Sequence, residues 1–65
     1  MNDVREKIEE YQEEIAELNE GIKERMEYES LVGFDPQIGE RIISARKRIR
    51  ELHDWIDYLK RYEEK

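Results

Sequence analysis

No cysteine occurs in the chain, and proline, phenylalanine, tryptophan and histidine occur once each. Without thiols there is no disulfide and no thiolate-held metal, so two of the usual staples of a small fold are closed to it. His53 has no second histidine or cysteine to join it; Asp57, one turn on, could hydrogen-bond it, but a surface histidine is the expectation, and neither metal nor cofactor is expected. The three glycines form no phosphate-binding loop, and the two serines, Ser30 and Ser44, sit in no nucleophile elbow. The many glutamates are regularly placed and exposed, which gives no reason for a raised pKa, so an enzyme is not expected. No apolar run has the length of a membrane span. The start, MNDVREKIEE, has neither the basic flank nor the apolar stretch of a signal peptide, so a soluble, cytoplasmic protein with no membrane partner is expected.

What the chain does have is charge and period. Of 65 residues, 46% are charged and the net charge is −6; that composition belongs to long helices and coiled coils, or to disorder. The apolar residues decide for helices. Val4, Ile8, Tyr11, Ile15, Leu18 and Ile22 follow at steps of four and three, as do Ile42, Ala45, Ile49, Leu52, Ile56 and Leu59. Each set marks one narrow helical seam.

Punctuation between the seams is concentrated in SLVGFDPQ, residues 30–37. Gly33 suits the left-handed residue that closes a helix, Asp35 suits an N-cap, and Pro36 suits the first helical position after it. Asp3 with Glu6 resembles a capping box at the start. An unbroken helix through Pro36 would lose a hydrogen bond and clash with the preceding turn, at roughly 3 kcal/mol. The sequence thus predicts an all-α, single-domain chain over 1–65: a helix over 3–31, a turn at 32–35 and a helix over 36–63.

Folding at Gly33 and Phe34 sets Ile8 against Leu59, Tyr11 against Ile56, Ile15 against Leu52, Leu18 against Ile49 and Ile22 against Ala45. One register serves all five layers, which predicts an antiparallel, coiled-coil-like αα-hairpin. Charge agrees: residues 1–29 carry eleven acids and four bases, residues 37–65 six acids and eight bases. Towards the turn the seam degrades, with Arg25 opposite Ile42 and Glu29 opposite Ile38, and Met26, Leu31 and Val32 are expected to supply replacement apolar surface.

A hairpin buries only one stripe per helix and is expected to be marginal alone. Ile43, Trp55, Tyr58 and Tyr62 lie beside or outside the second seam, and the flank of Trp55 and Tyr62 also carries Arg41 and Arg48. Tryptophan, tyrosine and arginine are enriched at interface hot spots, so this flank is expected to be a contact surface. The plainer alternative is that the aromatics fold over the hairpin and widen its core. A homodimer forming a four-helix bundle is the expected assembly, and Gly21, in mid-helix, suggests either a close crossing or no role.

Glu6, Glu10, Glu13, Glu17, Glu20, Glu24 and Glu27 form a second stripe on the far side of the first helix. Like charges at this spacing cost a few tenths of a kcal/mol per pair, so the stripe serves solvation or docks a basic, nucleic-acid-binding partner as an inhibitor or DNA mimic would. Arg46, Lys47, Arg48 and Arg50 suggest nucleic acid, but they point around the helix and the chain is acidic. RNA binding by a dimer is therefore a minor alternative.

VREKI at 4–8, ERME at 24–27 and FDPQIGERI at 34–42 resemble the first and last helices of the all-helical chorismate mutases. The resemblance implies that Arg5 and Arg25 clamp substrate carboxylates. The family's middle helix, with its lysine and acidic catalytic residues, has no counterpart, and Asp54 stands where a glutamine belongs, so no enzyme reading is carried forward. The function expected is that of a non-enzymatic protein–protein interaction or regulatory module.

Overall fold

The computed structural model describes residues 3–63 and contains two helices, α1 (Asp3–Val32) and α2 (Pro36–Glu63), packed against each other as a hairpin. α1 starts with Asp3 and Glu6 in its first turn, where carboxylates face unpaired backbone amides. It stops at Gly33. That residue takes φ +107°, which a side chain would oppose, and its N–H reaches the Glu29 carbonyl at 2.8 Å. α2 is opened by Asp35, whose Oδ1 accepts the Gln37 N–H at 2.9 Å while its carbonyl accepts the Gly39 N–H at 3.1 Å. Pro36 stands first in the helix, where its missing N–H costs nothing. Three residues therefore reverse the chain, and the first helix runs one residue further than its periodicity suggests.

Every residue of the two seams is buried or half-buried. Ile8, Ile15, Leu52 and Ile56 form the contiguous core, with Val4, Tyr11, Leu18, Ile49 and Leu59 packed against it. Leu52 is fully enclosed, at 0% exposure. Ile22 and Ile42 are also buried, but they lie beyond that cluster. The break falls where Ala45 offers only a methyl group to the seam. Among the described residues two ion pairs cross between the helices, Arg5 to Glu63 at 3.5 Å and Arg48 to Glu14 at 2.8 Å, and both fit antiparallel helices in one chain.

Near the turn one expectation fails. Arg25 and Glu29 do hold seam positions and are half-buried, as is Ile38, while Ile42 is buried. Met26, Leu31 and Val32, however, stay exposed, Leu31 at 85%. Met26 and Leu31 lie off the seam, and Val32, which continues it seven residues after Arg25, stands level with the turn, where α2 has not yet begun to cover it. Phe34, at the tip, is 83% exposed.

Candidate interaction surface

Trp55, Tyr58 and Tyr62 fall at spacings of three and four, which makes them neighbours on the surface of α2. The Trp55 and Tyr58 rings meet edge to face, centroids 5.9 Å apart and planes at 82°. Tyr58 and Tyr62 follow at 6.1 Å with planes tilted by 38°. The three rings form a ladder along the last turns of α2. Trp55 and Tyr58 are each 53% exposed and Tyr62 is 64% exposed, so the aromatics do not fold over the hairpin to widen its core.

Arg48 stands on the same flank, two turns before Trp55. Its Nε donates to Glu14 Oε2 at 2.8 Å, and its Nη1 lies 3.6 Å from Glu51 Oε2. The hydrogen bond to Glu14, then the charge of Glu14, raise the guanidinium pKa above its ordinary value, with Glu51 adding to the effect. Arg48 thus bridges the two helices through Glu14, in an ion pair that lies half in solvent.

Towards the turn the same flank opens into a groove lined by Leu18, Arg25, Arg41, Ser44, Ala45 and Arg48, among others. Ala45, at a seam position, keeps its floor low. Nearby on α1, Gly21 is half-buried and has no side chain at all. The Arg25 guanidinium takes up that space: its Nη1 lies 2.8 Å from where a Cβ on Gly21 would be. Within the chain, then, Gly21 is overlaid by its own helix and is not the crossing point of α1 with α2. Arg41 is exposed, and neither it nor Arg25 has an ion-pair partner among the described residues.

Of the residues singled out from sequence, Trp55, Tyr58 and Tyr62 are brought together, with Arg48 and Arg41 on their flank. Ile43 is not among them. It is exposed, but it lies twelve residues from Trp55, about 18 Å along the axis, on the outer ridge of α2. All seven glutamates of the acidic stripe are exposed, and Lys7, 3.4 Å from Glu10, is their one ion-pair partner among the described residues. Lys7 also lies 5.3 Å from the centroid of the Tyr11 ring. Arg5 and Arg25, the clamp implied by the chorismate mutase resemblance, stand about 30 Å apart on α1 and share no site. His53 is exposed, and no hydrogen bond joins it to Asp57 among the described residues.

Two features escaped sequence reasoning. The groove was signalled by Ala45, the one small residue of the second seam. The apolar tip of Leu31, Val32 and Phe34 was signalled only by its letters, because Leu31 and Val32 end α1 just before the turn and Phe34, within it, carries no period from which to read its direction. Among the described residues no group of three His, Asp or Glu side chains could hold a metal ion, and no helix is long and apolar enough to cross a membrane.

The chain matches no protein-family model, none of the curated proteins and no solved structure. What the surface does must be read from its own chemistry.

Proposed function

We propose that this protein is a non-enzymatic interaction module that self-associates through the α2 flank. The observation that carries the reading is the exposed ladder of Trp55, Tyr58 and Tyr62 beside Arg48, which bonds Glu14 across the helices. Three neighbouring aromatic rings left half in water forgo the burial that a chain with so thin a core needs. Covering them in a second copy supplies it, and two hairpins then make a four-helix bundle. Dilution of the protein from micromolar to nanomolar concentration tests this through Trp55: its emission should shift to the red as the ring becomes wet. An emission maximum that is constant on dilution, in a chain that keeps its helical signal, contradicts self-association through this flank.

A second reading is favoured by the acidic stripe, six of whose seven glutamates have no ion-pair partner among the described residues. Such a rail would dock the basic face of a partner protein, including a nucleic-acid-binding one. Binding to a labelled polyarginine peptide should then weaken steeply with salt and be lost in the Glu13→Lys, Glu17→Lys, Glu20→Lys variant. Binding that survives this reversal leaves the stripe with solvation alone.

A further inference from the structure

One broad side of the hairpin holds a bulge and a recess. The bulge is the ladder Trp55, Tyr58 and Tyr62; the recess is the groove whose floor is kept low by Ala45 and whose lining includes Arg25, Arg41 and Ser44. Their centres lie some fifteen residues apart on α2, roughly 20 Å at the rise of a helix. A two-fold axis through this face near Glu51 would place each copy's bulge on the other's recess.

We propose that two copies pack antiparallel through this face, the aromatic ladder of each seated in the groove of the other, with Arg25 and Arg41 stacked against its rings; this arrangement rests on self-association through the α2 flank and adds its direction. Three observations carry it. Arg25 and Arg41 have no ion-pair partner among the described residues, and a guanidinium finds a favourable surface in the face of tryptophan or tyrosine. In the parallel alternative, ladder would meet ladder, and the unpaired Arg25 and Arg41 would meet their own copies across the interface, like charge against like charge. Finally, the hairpin measures 49 by 16 Å along its two longer axes, a face on the order of 800 Å² per copy, the size of a standard interface. An isologous dimer uses bulge and recess twice and leaves neither open.

Spin labels decide the direction. With a label on Gln37→Cys, at the turn end of the groove, the antiparallel dimer should give an inter-chain distance of about 40 Å by double electron–electron resonance, whereas the parallel dimer should give less than about 20 Å. A label on Glu51→Cys, near the axis, should give the short distance in the antiparallel case. Ser30→Cys, outside the groove, repeats the long measurement should the label at 37 disturb the contact. Filling the recess by Ser44→Trp should weaken dimerisation at least tenfold, while Phe34→Ser, at the exposed tip, should leave it unchanged. A dimer with the short distance at 37, or one insensitive to Ser44→Trp and lost in Phe34→Ser, overturns the antiparallel seat and leaves self-association standing. An unlabelled chain that is monomeric at every concentration removes both.

Discussion

Leu52, fully enclosed between the helices, is the residue on which the fold depends most. Truncating a buried leucine to alanine costs about 2–5 kcal/mol, and a chain this short holds roughly 3–5 kcal/mol in all. Leu52→Ala should therefore lose most of its helical circular dichroism at 25 °C, where the parent keeps it. Gly33 makes a second test. Nothing lies within 4 Å of where its Cβ would be, so space does not forbid alanine there; the φ of +107° does. Gly33→Ala should lower stability by about 1–2 kcal/mol, seen as a lower thermal midpoint, while Gly39→Ala, with equal space and ordinary φ inside α2, should not. The special role of Gly33 could be read from sequence because proline and aspartate follow it closely. That of Gly21 could not, since what overlies it is the free end of a long side chain four residues on, which no local pattern encodes.

Between elements, the seam was the legible part. Isoleucine and leucine at steps of three and four fix one face of each helix, and the shortness of the turn fixes how the faces meet. The cap at Asp35 belongs to the same reading: Asp35→Ala should cost about 1 kcal/mol, measured by urea denaturation. Arg48→Ala removes an ion pair that lies half in solvent and should move the unfolding midpoint far less than Leu52→Ala. Direction was lost where period was lost. Arg25 and Glu29 replace apolar residues near the turn, the stripe there is no longer unique, and sequence alone turned Met26, Leu31 and Val32 towards a core they do not enter. Ile43 stands apart for a different reason: its place outside the seam grouped it with the aromatics, but its angle on α2 separates it from them.

As a whole molecule the hairpin is long and thin, two helices over one narrow core, with an acidic outer ridge on α1 and an aromatic ladder on one side of α2. Its helical class and chain reversal follow from pattern; the pairing of bulge and recess does not, because it joins residues on two helices through side-chain volume. Salt should separate the two surfaces. A contact made by the ladder should persist at about 0.5 M NaCl, where the Debye length is below about 5 Å, while docking by the glutamate ridge should be lost. The decisive measurement is sedimentation equilibrium of the unmodified chain at micromolar concentration. A particle of twice the chain mass, reverting to a single chain in the Trp55→Ala, Tyr62→Ala variant, is the expected result; a folded particle of one chain mass at every concentration contradicts it.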